Sequence, residues 1–278
     1  MIIQEVIDRI IAYHPPMTPD EHHPTCDTVK CGDPERECTG VAVTCFASAD
    51  VIRRAAALGD NLIVAHEPLF WSDGEDMAGL EESPVLKGKK ALLEQNGITV
   101  WRDHDHIHGG DPVHPPLDGI YYGIMKELGW EDYCIGDPTK PLLFKIPETD
   151  AAELGEYLKE KLGLKGLRIV GDRHTKVSKV FLWEHISARD WNGQQQRKLL
   201  KVDSEGIDAV IPLEMIDWTV CAYIRDAAQL GCPKVLYNPG HFNFEELGMK
   251  HMLSYLPGLL GGQVPCHFVP AGDAFDFI

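Results

Sequence analysis

The chain has 278 residues, 44% of them hydrophobic, 25% charged and 8% aromatic, so it is neither collagenous nor wholly disordered. That length suits one large or two ordinary domains. Lys and Arg number 26 against 43 Asp and Glu, a net charge of −17, which argues against nucleic acid or an anionic membrane as partner and suits a protein that holds cations.

At the N-terminus, Ile3, Val6, Ile7, Ile10 and Ile11 fall on one helical face while Glu5, Asp8 and Arg9 interrupt the apolar run. This predicts a docked amphipathic helix rather than a secretory leader. Residues 15–38 read as an irregular loop. Strands are predicted at 39–46 and 61–66, separated by a helix with Ser48 as N-cap and Gly59 past its end. A helix opens at Ser83-Pro84 and runs towards Asn96-Gly97, followed by a strand at 98–103 and a helix at 117–128. After Gly129 come a strand in PLLFKIP and a helix from Asp150, with Glu153 completing a capping box, to Gly163. Strands near 166–170 and 177–183, a helix at 190–203, the strand DAVIP, a helix at 214–230 and the strand 234–238 continue the alternation. A helix at 243–255 and the strand GQVPCHFV close it. Such alternation predicts an α/β fold with a largely parallel or mixed sheet. The piece 129–141, GWEDYCIGDPTKP, is the best domain boundary. No stretch reaches the roughly 18 apolar residues of a membrane helix. Eight cysteines, none in a Cys-x-x-Cys pair, read as reduced thiols of a cytoplasmic protein.

Three stretches gather chemistry, each following a predicted strand, where open α/β sheets place their ligands. They are Ala65-His66-Glu67-Pro68, the run from Arg102 to Gly110, and the run from Asn238 to Glu245. In the second, the strict alternation puts His104, His106 and His108 on one face of an extended chain, with Asp103 and Asp105 on the other. Imidazole with carboxylate suits Zn, Fe, Mn, Ni or Co. In the third, a helical turn would bring His241 and Glu245 to one side. The other histidines, His14, His185 and His267 among them, read as ordinary polar residues.

These residues resemble the NGG-one-interacting-factor-three-like proteins, also labelled GTP cyclohydrolase I type-two homologues. The likeness rests on Gly32-Asp33-Pro34 with Thr39-Gly40-Val41, on NLIVAHEPLF at 61–70 and on ITVWRDHDHIH at 98–108. It extends to Val170-Gly171-Asp172 with Lys176-Val177, and to Gly240-His241 with Glu245. The resemblance implies a three-layer α/β/α fold with two related lobes around a central metal-binding cleft. The first lobe would be 1–128 plus 236–278 and the second 129–235. It also implies a dinuclear centre of two divalent ions, a small-molecule substrate and a homo-oligomer, by resemblance a hexamer. Carried over position by position, the ligands are His66, Glu67, His108, His241 and Glu245, with His104 and His106 as candidate catalytic groups for proton transfer. Glu67 stands where the family has a second His, and His108 where it has an Asp. The exchange keeps three histidines and two carboxylates.

Two ions bridged by a carboxylate would acidify a water held between them into a nucleophile, so metal-dependent hydrolysis of a small, nucleotide-like substrate is the first functional expectation. The alternative is a metal-binding storage or regulatory assembly protein without turnover.

Overall fold

The computed structural model describes residues 1–17, 24–72, 76–109, 117–186 and 193–278. In chain order the first elements are α1 (Ile3–Tyr13), β1 (Val29–Cys31), β2 (Val41–Thr44), α2 (Ala49–Leu58), β3 (Leu62–Ala65), α3 (Pro84–Gln95) and β4 (Thr99–Arg102). Next come α4 (Asp105–His108), α5 (Gly119–Glu127), β5 (Leu143–Asp150), α6 (Ala151–Leu162), β6 (Arg168–Val170), β7 (Lys176–Trp183) and α7 (Gln194–Ser204). The last are β8 (Ala209–Pro212), α8 (Ala222–Gln229), β9 (Val235–Asn238), α9 (His241–His251), α10 (Leu256–Leu259) and β10 (Cys266–Phe268). The fold is α/β with two lobes: one compact unit is Met1–Gly123 with Glu245–Ala271, the other Ile124–Phe244 with Gly272–Ile278.

The first unit holds a sheet in the order β1-β4-β3-β2-β10, with β4, β3, β2 and β10 parallel and β1 antiparallel to β4. Its central strands, VAVT, LIVA and TVWR, are buried at every residue, as parallel strands covered on both faces must be. Ala42, Ile63, Ala65 and Val100 pack against Val51, Ile52 and Ala55 of α2 and Leu86 and Leu93 of α3. The Ser48 hydroxyl accepts the Val51 N–H at 3.2 Å, and Gly59 stops α2 in the left-handed region at φ 84°. Strand β1 lies inside the segment expected to be loop. Its three half-buried residues carry no periodicity, and pairing with β4 is what extends them. α5 and α9 meet backbone to backbone at glycine. A Cβ on Gly248 would sit 2.6 Å from Ile120 Cα, and one on Gly123 would sit 2.8 Å from Gly248 Cα.

The second unit holds a sheet in the order β5-β7-β8-β9-β6, parallel through β7, β8 and β9 and flanked by antiparallel β5 and β6. Phe181, Trp183, Val202, Val210, Ile224 and Leu236 build its core. The helix expected over 214–230 is interrupted. A π turn occupies Asp217–Cys221, with Thr219 at φ −108° and ψ −115°, before α8 begins. The Thr219 hydroxyl donates to the Ile216 carbonyl at 3.0 Å, a side-chain bond that competes with helix continuation. No helix among the described residues is long and apolar enough to cross a membrane, and all eight cysteines are unbridged.

Candidate metal centre

In the first unit the parallel strands β2, β3 and β4 deliver Cys45, His66-Glu67 and Asp103-His104 at their carboxyl ends. The N–H groups of His66 and Glu67 donate to the Cys45 carbonyl at 3.0 and 2.8 Å, and the Asp103 N–H donates to the Ala65 carbonyl at 2.9 Å, so the strand ends are tied together. His66 is fully buried. Its Nδ1 lies 3.0 Å from the Asp103 carbonyl, which can only accept, so Nδ1 carries a proton and Nε2 becomes the ligand-competent nitrogen. Arg102 Nε donates to the His66 carbonyl at 3.0 Å and steadies the same turn.

The alternating run after β4 is a helical turn, α4, rather than an extended segment. The cause is distant in sequence. The buried Asp27 carboxylate accepts the backbone N–H groups of His104, Asp105 and His106 at 2.8, 3.0 and 2.8 Å, capping the turn from 77–79 residues away. Helical spacing then pairs His104 with His108 and turns His106 elsewhere. His66, His104 and His108 bring one ligand nitrogen each within 4.8 Å of one another. The His66 and His104 rings stack at 4.6 Å, and His108 meets them edge-on at 5.1 and 4.9 Å. His104 Nδ1 lies 3.0 Å from Asp105 Oδ1 and His108 Nδ1 lies 2.9 Å from Asp118 Oδ2, so each imidazole is oriented by an acceptor behind it. His106 instead sets its Nδ1 2.6 Å from Asp27 Oδ2.

Beside the imidazoles lies a second group. Cys45, Glu67 and Glu245 also place ligand atoms within 4.8 Å of one another. Glu245, 2% exposed, links the two groups, since its Oε2 is 3.4 Å from His66 Nε2. Burial works against protonating His66, but the Glu245 carboxylate, then Glu67 and the Asp103 carbonyl, outweigh it and raise His66 to about 9. Burial first, and then His66 and His108, lower His104. Burial pushes the Cys45 thiol well above its ordinary value, with Glu67, Glu245 and Glu246 adding to it. Burial also lifts Glu246 to about 7. The region is rich in carboxylate and accommodates a proton where a cation would serve.

His241 opens α9 within the second unit, with its Nδ1 2.8 Å from Glu214 Oε1. His185 Nδ1 lies 2.7 Å from that same oxygen. The sequence names His66, Glu67, His104, His106, His108, His241 and Glu245, but does not pick out Cys45, Asp27, Asp118, Glu214 or His185. Cys45, His185 and Glu214 each follow a strand of the structure, β2, β7 or β8, within two residues; His185 and Glu214 also follow the predicted strands, and that position is the signal that finds those two. Asp27 has no local signal. His14 is buried rather than ordinary, its Nε2 3.4 Å from the fully buried Asp103 carboxylate.

Known proteins share this architecture. The model of the Duf34/NIF3 (NGG1p interacting factor 3) family matches residues 1–271. A protein of Clostridium perfringens named GTP cyclohydrolase 1 type 2 homolog is 25% identical over 219 residues, 77% of this chain and 76% of that one. One of the same name from Lactococcus lactis is 28% identical over 154 residues, 55% of this chain and 56% of that one. Among solved structures, the Bacillus cereus protein related to NIF3 superposes with a TM-score of 0.70 at 14% identity, covering 100% of this chain and 99% of the other. The Staphylococcus aureus protein SA1388 does so with a TM-score of 0.67 at 15% identity, over 100% and 99% of the two chains. The matched span takes in both sheets and every strand end described above, and so the chain belongs to the Duf34/NIF3 family.

Proposed function

We propose that the first unit is a dinuclear divalent-metal centre and that the protein is a metal-dependent hydrolase of a small, nucleotide-like substrate. The observation that carries the metal reading is His66 Nε2: a fully buried nitrogen that makes no hydrogen bond of normal geometry among the described residues and faces Glu245 at 3.4 Å. A buried polar atom so placed is costly unless a partner satisfies it. The donor set of imidazole, carboxylate and one thiol fits Zn, Fe, Mn, Ni or Co.

His66 and His108 would hold one ion, and Glu67 and Cys45 the other, with Glu245 reaching both groups. When bound, such ions make water a nucleophile near neutral pH. Asp105 and Asp118 fix the orientation of His104 and His108. His104, one-third exposed and lowered towards its neutral form, is the group suited to accept a proton from a reacting molecule. His106, held by Asp27, maintains the turn that carries the other two. The relatives' name supports a nucleotide-like substrate class, and a homo-oligomer, a hexamer by family resemblance, goes with this reading.

The test is steady turnover across nucleotides and other small hydrolysable compounds with metal-loaded protein. Product release that needs metal and falls at least about a hundredfold in His104→Ala is the expected result for a proton-transfer group. Metal retention without turnover on any compound would leave a storage or regulatory role in place of the enzyme.

A further inference from the structure

Between α2, α3 and the segment that follows β3, the first unit holds a cavity of about 550 Å³, the size of a small-ligand site. Its walls include Phe46, Trp71, Val85 and Leu92, with Arg53 and Lys89 as the charged residues. No carboxylate among the described residues lines it, although acids outnumber bases by 43 to 26 in the chain. A positively charged hollow in so acidic a protein selects an anion. Lys89 is built into the wall. It is 6% exposed, its Nζ donates to the Leu69 carbonyl at 2.6 Å, and it lies 4.8, 5.8 and 5.5 Å from the ring centroids of Phe46, Phe70 and Trp71. Arg53 is the opposite case, exposed and making no hydrogen bond or ion pair among the described residues. Trp71 is 45% exposed while the neighbouring Phe70 is buried, and it is the only non-glycine among the described residues with a positive φ, 67°. A large aromatic residue held in the left-handed region is uncommon, and such positions cluster at ligand sites.

We propose that this cavity binds a planar aromatic ring that carries an anionic group, the chemistry of a nucleotide, with the ring stacked on the Trp71 indole and the anion on the Arg53 guanidinium. The assignment deepens the reading of the first unit as a site for a nucleotide-like substrate and rests on it for the class of ligand. Phe46 directly follows Cys45 and Trp71 stands four residues after Glu67, so both aromatic walls continue from segments that carry candidate metal ligands. Stacking on an indole accepts any base, and a guanidinium fork takes two phosphate oxygens at once. Lys89 keeps the rings around it in place and adds positive charge to the wall. Gly88 leaves room, since it lines the same cavity and a Cβ there would meet no atom within 4 Å. None of Trp71, Arg53 and Gly88 belongs to a group that could hold a metal ion, so the cavity can be altered without touching those ligands.

The test is calorimetric titration of the full-length protein, as purified, with GMP, guanosine and inorganic phosphate. The expected result is one GMP per chain, bound at least about tenfold more tightly than guanosine or phosphate alone. Trp71→Ala should weaken GMP at least about fivefold, the loss of one stacked base, and Arg53→Glu at least about tenfold. Gly88→Leu keeps both groups, fills the hollow and should weaken GMP at least about tenfold. All three positions are exposed, so the fold stays intact, which circular dichroism checks. Wild-type protein that ignores GMP would overturn the proposal, as would binding that Trp71→Ala and Arg53→Glu leave unchanged. Dissociation of an assembly in Trp71→Ala, with no GMP bound by the wild type, would give this face to a second copy of the chain and overturn it too. GMP binding without turnover of any compound would sustain the site while the hydrolase reading falls. Turnover of a nucleotide with KM unmoved in both variants would keep the hydrolase and overturn the site.

Discussion

The two units place nearly the same donor types at the carboxyl ends of three consecutive parallel strands, yet in opposite surroundings. In the first, His66 is fully buried and Glu245 is 2% exposed. In the second, the His185 side chain is 66% exposed and those of Glu214 and His241 about a third. Burial decides what each cluster needs. Water screens the second, so a carboxylate between two imidazoles is stable with hydrogen bonds alone. Burial first works against the Glu214 carboxylate, and the two rings more than reverse that, holding it down at about 2. The first has little such screening, and its buried Glu245 carboxylate needs a positive partner beside it. The same topology thus yields one cluster whose buried carboxylate relies on a positive partner and one that hydrogen bonds and water suffice to stabilise.

That contrast is open to experiment, with the largest effect expected in the buried cluster. His66→Ala removes the positive partner from the buried Glu245 and the half-buried Glu67 and should cost about 3–5 kcal/mol, read as a lowered urea midpoint, along with the metal of the first unit. An unchanged midpoint would mean that Glu245 and Glu67 do not rely on His66. Asp27→Asn comes next. It replaces part of an acceptor that serves three backbone N–H groups and should cost about 1–3 kcal/mol while loosening His104 and His108.

The pH dependence of Asp27 follows from its surroundings. Burial pushes its carboxyl up, but the N–H donors of His106, Asp105 and His104 outweigh this and hold it below its ordinary value. Its contribution is therefore complete above about pH 4 and is lost as the pH falls through the depressed value. The Asp27→Asn variant should lose that part of the acid sensitivity. If both proteins unfold at the same acid midpoint, Asp27 is not the cap.

Gly248→Ala would place a Cβ 2.6 Å from Ile120 Cα, where only backbone can yield. An expected cost of about 1–3 kcal/mol should come with weaker metal retention, because α9 carries Glu245. Retention equal to wild type would uncouple that helix contact from the site. The smallest effect belongs to the exposed cluster. His185→Ala should stay within about 0.5 kcal/mol of wild type in urea unfolding. A loss comparable to that of His66→Ala would erase the difference drawn between the two regions.

Much of this is legible from the sequence, for reasons tied to particular residues. The buried strands VAVT and LIVA, the Ser48 cap, Gly59 and the Asp150 to Gly163 helix all carry local signals, and the structure has them where those signals lie. So do His66, Glu67 and Glu245, because strand ends and helical spacing are local. What escapes the sequence is non-local. β1 is extended by its pairing with β4, and α4 is capped by Asp27, which accepts the N–H groups of His104, Asp105 and His106. An alternating His-x-His-x-His run looks extended in isolation, and a capping carboxylate from 77–79 residues away rewrites its geometry. The Glu214 cluster escapes for a related reason. Its three members are far apart in sequence and meet only once the sheet order β7-β8-β9 is known.

The most direct test of the central claim is a count of metal ions per chain by plasma mass spectrometry after loading and desalting, in wild type and in Glu245→Gln. The account predicts about two retained ions in the wild type, as in two-metal sites, and at most one in the variant that loses the shared carboxylate. Wild-type protein that retains none, or a variant that retains as many as wild type, would contradict it.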